Sequence, residues 1–199
     1  MSEKNHSGND PKREELIYRT QSELIGKRFA GASLASVTFT SQREREVIGW
    51  LEKKRNFLIL LGNSGIGKTY FCSAVIHWIY GKVSSYRYWK ESNLFQEVRS
   101  VISSGSGDYI RKLDSLTDDE FVMIDDMGSS GVNEWRKEVL LHLIDGRYES
   151  LKPTIFTSNL TRQEIFRDLG SRSESRLFSK ENLVLEIHNG EDIRQRETK

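Results

Sequence analysis

Eight consecutive residues, Gly62-Asn63-Ser64-Gly65-Ile66-Gly67-Lys68-Thr69, constrain this chain more than any other segment. They match the pattern G-x-x-x-x-G-K-[ST] in full, and they stand directly between the apolar run Phe57–Leu61 and a stretch of helical spacing, Lys68–Tyr80. A short continuous apolar run suits a strand buried on both faces, as in a parallel sheet covered by crossover helices. In that setting the glycines let backbone amides curl around phosphate oxygens, and the helix N-terminus adds its partial positive charge. Lys68 then reaches the terminal phosphates and Thr69 can ligate Mg²⁺, with Tyr70 following as a further nucleotide contact. A glycine-rich turn with a chance lysine is the alternative, and the strand-loop-helix setting speaks against it.

The rest of the chain repeats the alternation of strand and helix. Leu16, Ile17, Leu24 and Ile25 give a short helix after a polar tail, and Gln42–Lys54 carries an apolar stripe of Val47, Ile48 and Leu51. Phe71, Ala74, Val75, Trp78 and Ile79 would pack the helix after the phosphate loop onto the sheet. Tyr86–Trp89 reads as a strand, a helix starts at Asn93 with Leu94, Val98 and Val101 on one face, and the cluster Ser103–Gly107 ends it. Phe121–Ile124 and Thr154–Thr157 are further apolar strands around a long helix, Glu134–Tyr148. A short helix, Arg162–Asp168, and a strand, Leu183–Ile187, follow. This order predicts an α/β fold with a mostly parallel sheet sandwiched by helices.

Three further groups carry chemistry. Asp125 and Asp126 end the strand Phe121–Ile124, where carboxylates emerge beside the phosphates at the carboxyl edge of a parallel sheet. Asp125 would hold Mg²⁺ through water, while Asp126 orients or deprotonates an attacking water. Two turn-forming aspartates before Met127-Gly128 are the alternative. Asp126 is one methylene shorter than the glutamate that many such ATPases carry, which predicts slow turnover. Asn159, just past the strand Thr154–Thr157, can bond both the terminal phosphate and the water, or it can merely belong to the turn that Thr161 caps. Arg172 and Arg176 could neutralise charge on a transferring phosphoryl group, including one held by a neighbouring subunit, or lie on an ordinary solvated face.

Composition narrows the partners. The formal net charge is +1, from 30 basic and 29 acidic side chains, so no global field draws the protein to nucleic acid. Between Lys90 and Asp114 four basic residues (Lys90, Arg99, Arg111, Lys112) face four acidic ones (Glu91, Glu97, Asp108, Asp114), so a basic patch is absent there. The start is polar, no apolar run approaches the roughly 18 residues of a membrane span, and a lone Cys72 argues against an oxidising compartment. A cytoplasmic protein without membrane contact is the expectation.

Taken together these segments resemble the AAA+ ATPases of the bacterial helicase-loader and transposition-helper group, the DnaC/IstB type, over about residues 25–194. The likeness rests on Lys27-Arg-Phe29, Ala32-Ser-Leu34, the phosphate loop, Met123-Ile-Asp-Asp-Met-Gly128, Ile144-Asp-Gly-Arg-Tyr148, Lys152–Leu160, Ser175-Arg-Leu177 and Gly190-Glu-Asp-Ile-Arg194. It implies that ATP and Mg²⁺ are the cofactors, that Asn159 is the first sensor, and that Arg176 is the arginine finger with Arg172 second. It also implies that Lys27–Phe29, Phe29 above all, approaches the adenine. The expected organisation is a tail with a short helix over 1–24 and an AAA+ domain over 25–199, with little or no C-terminal lid. Residues 12–25 are candidates for docking a partner or for simply covering the core. The implied function is ATP hydrolysis by a replicative helicase loader that self-associates and meets single-stranded DNA. A transposase helper, and a switch with little hydrolysis, are the alternatives. A small-molecule kinase is disfavoured, because no arginine-rich lid insertion offers a second phosphate site.

Overall fold

In a computed structural model, residues 10–54, 56–103, 109–129, 131, 133–188 and 193 are described. The chain runs through α1 (Pro11–Leu24), α2 (Ser41–Lys53), β1 (Phe57–Gly62), α3 (Lys68–Ile79), β2 (Tyr86–Lys90), α4 (Glu91–Ser103), α5 (Tyr109–Asp118), β3 (Phe121–Met127), α6 (Glu134–Glu149), β4 (Thr154–Ser158), α7 (Arg162–Leu177) and β5 (Leu183–Ile187). Short 3-10 turns at Lys27–Phe29 and Leu34–Ser36 lie between α1 and α2. The strands form one parallel sheet in the order β2-β3-β4-β1-β5.

Alternation along β1 builds a core on each face of the sheet, as a two-residue side-chain period requires. Leu58 and Leu60 pack toward α2 and α3, with Ile25 just past α1 in the same core, while Phe57, Ile59 and Leu61 pack toward α4, α5, α6 and α7. Because every strand is parallel, the carboxyl ends of β1, β3 and β4 share one rim. The first residues of α3, Lys68 and Thr69, meet Asn159 just past β4 and Asp125 on β3 at this rim.

The expected strands and helices are present, with informative differences. β3 continues through Asp125 and Asp126 to Met127 instead of stopping at Ile124. The helix α5 is additional, and among its described side chains Leu113 is buried. The expected loop Ser103–Gly107 lies, beyond Ser103, outside the described residues, as do residues 1–9 of the expected tail and most of Gly190–Arg194. The short helix at Arg162–Asp168 extends to Leu177 through a kink at Gly170, whose φ of 84° and ψ of 171° suit glycine. Its second arm carries Arg172 and Arg176.

The first helix is tied into the body of the domain. Asp10 caps α1 by accepting from Lys12 N, and Ile17 and Ile25 are buried, whereas Leu16 and Leu24 are exposed. Between the two isoleucines lies Gln21, fully buried. Its side-chain amide donates to Ala32 O at 2.7 Å and to Ser73 O at 2.8 Å, and its oxygen accepts from Gly31 N at 2.8 Å. One glutamine thereby joins α1, the segment after Phe29 and α3. Gln21→Leu leaves polar backbone groups buried without this partner, so a loss of about 2 kcal/mol is expected. For a chain of this size the thermal midpoint should then fall by about 4–8 °C, measured by calorimetry on the nucleotide-free protein.

Candidate functional site

The phosphate loop is shaped by backbone that only glycine takes readily. Gly65 and Gly67 have φ of 90° and 100°. Gly62 has φ of 153°, and a Cβ there would lie 2.7 Å from Ile187 O. The loop closes on a cation, because Lys68 Nζ donates to Gly62 O at 2.6 Å, Asn63 O at 2.9 Å and Asn159 Oδ1 at 2.5 Å. Burial pushes the Lys68 ammonium below the usual lysine range, against the pull of Asp126 and Asp125. A cleft of about 200 Å³ opens at this point, lined by Phe29, Ser64, Gly65, Gly67, Lys68, Thr69, Tyr70, Asp126 and Asn159, with Arg28 beside them. A roomier cleft of about 690 Å³ lies between α2 and β5 and gathers none of the phosphate-loop residues.

Asp125 is fully buried and receives hydroxyl hydrogen bonds from three directions: Thr69 at 2.8 Å, Tyr88 at 2.8 Å and Thr157 at 2.5 Å. Those bonds hold a carboxylate in a place that offers it little water. Asp126 is partly exposed on the cleft wall, with φ of 60°, and its N–H donates to Thr157 Oγ1 at 3.0 Å. Burial first, and Asp125 second, raise its carboxyl above the usual range, while Lys68 and Lys90 oppose the shift. The next turn is also tied down: buried Glu91 accepts from Gly128 N at 2.7 Å.

The donor set fits a nucleoside triphosphate with a divalent ion. The glycine cradle, the Lys68 ammonium at its mouth and the adjoining oxygens of Thr69 and Asp125 meet in one place. Among the described residues no group of three or more His, Cys, Asp or Glu side chains could hold a metal alone, so a metal here would rely on phosphate and water oxygens besides these two.

Most of the sequence-predicted residues therefore meet in one cleft, but in different ways. Asn63 faces a neighbouring cleft with Asn159 and Arg162 and meets Lys68 through its carbonyl. Ile66 is buried, with its side chain against the core and its carbonyl accepting from Ile193 N at 3.1 Å. Tyr70 lines the cleft while its hydroxyl donates to Ser36 Oγ at 2.7 Å. Ser73 Oγ donates to Phe29 O at 2.7 Å and fixes the Phe29 segment on α3.

Arg172 and Arg176 are not brought to the loop. Both pair with Asp145 at 2.7 Å, in the last turns of α6, and Asn182 donates to Arg176 O at 2.6 Å while accepting from Phe57 N. They sit at the amino end of β1, roughly 16 Å of strand away from Gly62. Sequence reading missed Tyr88, Thr157 and Glu91, whereas Arg28 falls within the Lys27–Phe29 segment it placed at the adenine.

The profile of the family described as IstB-like ATP binding protein matches residues 27–173. An insertion-sequence ATP-binding protein of Pseudomonas fluorescens is 33% identical over 111 residues, which make up 56% of this chain and 46% of that protein. The chain thus matches less than half the length of that relative. The crystal structure of the DnaC helicase loader superposes with a TM-score of 0.69 at 20% identity, covering 81% of this chain and 99% of that one. A replication initiator DnaA bound to AMPPCP and single-stranded DNA gives 0.70 at 17% identity, covering 81% and 51%. The P-loop AAA+ fold expected from the sequence is thereby shown. No helix among the described residues is long and apolar enough to cross a membrane.

The raised Asp126 carboxyl has a measurable consequence. A carboxyl whose folded value lies above its unfolded value costs stability once it ionises, and the cost vanishes below the unfolded value. Asp126→Asn should therefore be as stable as the parent or more stable at pH 7, with the gap closing as the pH falls below about 4. Denaturant titrations at the two pH values check this.

Proposed function

The chain belongs to the family of IstB-like ATP-binding proteins, and from that premise we propose that it is an ATP-hydrolysing switch that assembles with its own kind and acts on a DNA-bound partner. The observation carrying the hydrolytic half is the Lys68–Asn159 contact at 2.5 Å, with Asp126 on the wall of the same cleft. Bound ATP supplies the phosphoryl group and, with Mg²⁺, the electrophile for attack by water. Lys68 and the loop amides orient the terminal phosphates; Thr69 and Asp125 take the metal side; Asp126 accepts the proton of the water; Asn159 holds that water against the phosphate. The Phe29 segment lies where the base would enter. Arg176, half-buried and paired with Asp145, lies at the far rim beside the exposed Arg172. Its place there supports action on a neighbour's nucleotide and, with it, self-association.

Loading of a replicative helicase onto single-stranded DNA is the first reading, supported by likeness to a helicase loader across nearly the whole of that structure. Assistance to a transposase is the second, favoured by the insertion-sequence relative. Purified protein presented with a replicative helicase or a transposase, with and without ATP, separates them: ATP-dependent retention of one partner and not the other decides.

Lys68→Ala should lose binding of ATP with Mg²⁺ by calorimetry while keeping its circular dichroism, and tight binding by the variant would refute the role of Lys68. Phosphate release with and without single-stranded DNA tests turnover itself. Arg176→Ala should bind ATP and fail to hydrolyse it. Mixed with Lys68→Ala protein it should regain partial activity, because one partner supplies an intact site and the other an arginine. No recovery in mixtures that demonstrably co-assemble sinks the trans assignment.

A further inference from the structure

Between Ile124, opposite Phe156, and Met127, opposite Ser158, the β3–β4 ladder contains an extra residue. Asp125 and Asp126 on β3 thus face the single residue Thr157 on β4. Bulges in parallel pairs are rare, and bulges concentrate beside sites where a side chain must be re-aimed. Here the re-aimed side chains are the two carboxylates. An extended strand would put successive side chains on opposite faces; the bulge, with Asp126 at φ of 60°, lets Asp125 turn in to Thr69 while Asp126 reaches the cleft.

One hydroxyl spans the irregularity. Thr157 Oγ1 accepts from Asp126 N at 3.0 Å, and donates to Asp125 Oδ1 at 2.5 Å. The bulge removes a ladder partner from the Asp126 amide, and Thr157 replaces it; the same oxygen fixes the rotamer of Asp125. Two residues on, Asn159 bonds Lys68, while between them Ser158 donates to Met127 O at 2.6 Å and holds the other side of the bulge. The end of β4 and the residue after it therefore connect the lysine of the phosphate loop to both acids.

We propose that Thr157 is the positioning residue of this site: its hydroxyl holds Asp125 in line with Thr69 for the metal and holds the Asp126 backbone in the conformation that delivers its carboxylate to the cleft. The inference rests on the ATPase reading for its effect on turnover and stands apart from it for its effect on metal-dependent binding. Thr157→Val keeps the shape and β-branch of the side chain and removes only the hydroxyl chemistry. Thr157→Ser restores the hydroxyl.

The test uses the full chain and a fluorescent ATP analogue, titrated once in EDTA and once across a Mg²⁺ series, with phosphate release measured in parallel. In EDTA, Thr157→Val should bind the analogue as the parent does. The Mg²⁺ concentration for half-maximal tightening should rise by about 10- to 100-fold, the usual penalty for losing a group that orients a metal ligand. Turnover should fall at saturating ATP with little change in KM, and Thr157→Ser should recover most of both losses. Parental Mg²⁺ dependence and turnover in Thr157→Val overturn the proposal. So does equal damage by the serine and valine variants, or loss of binding in EDTA, either of which marks a packing role. If the parent itself releases no phosphate with or without DNA, hydrolysis falls, while the Mg²⁺ titrations still decide the role of Thr157.

Discussion

Two ionised carboxylates placed one after the other at the end of a buried strand repel each other, and burial deprives both of the water that would soften the repulsion. Much of the surrounding polar structure answers that constraint. Asp125, fully buried, is held by the hydroxyls of Thr69, Tyr88 and Thr157. Asp126 escapes toward the cleft through a left-handed backbone and keeps a raised carboxyl. Lys68 and Lys90 supply the nearby positive charge that makes the pair tolerable. The Tyr88 hydroxyl, for its part, is pushed well above the usual tyrosine range by burial and by Asp125, so it stays a donor.

The same constraint explains why the phosphate loop grips its lysine. An ammonium buried beside two acids could settle directly on a carboxylate and quench the site. Instead Gly62 O, Asn63 O and Asn159 Oδ1 take its donors, all within 2.9 Å. These are neutral acceptors. Neutral acceptors hold a cation in place without cancelling its charge, which leaves Lys68 able to meet an anion and leaves Asp126 free of a salt bridge.

The phosphate loop, its flanking strand and helix, and the acids after Ile124 were legible because each is a local signal: residue types at fixed offsets in a fixed setting. Thr157 was not, because its role depends on the register between β3 and β4 and on the bulge that puts two residues opposite one, and nothing within either strand announces that pairing. The first helix shows a related limit. Apolar spacing singled out Leu16, Ile17, Leu24 and Ile25, yet the buried line is Ile17, Gln21 and Ile25, with a glutamine at its centre. A polar residue satisfied by tertiary hydrogen bonds interrupts the very pattern that would reveal the packed face. Arg147 is a further case, a fully buried arginine on α6 that burial lowers to about 10, bonded to Thr154 and to the carbonyls of Asp119 and Pro153. In the sequence it reads as one more charge in a charged helix.

Arg147 also ties together the segments at the amino rim of the sheet. Its contacts bind the segments that lead into β3 and β4 at the amino rim, where Asp145 holds Arg172 and Arg176. At the carboxyl rim the same two strands deliver Asp125, Asp126 and Asn159. A pair of strands pinned by a buried cation at one end and by Thr157 and Ser158 at the other is a stiff element. Under the proposed assembly, each subunit's own nucleotide meets one rim and its neighbour's nucleotide meets the other. The pairing of β3 with β4 is then the physical path that joins the rim at a subunit's own nucleotide to the rim at its neighbour's.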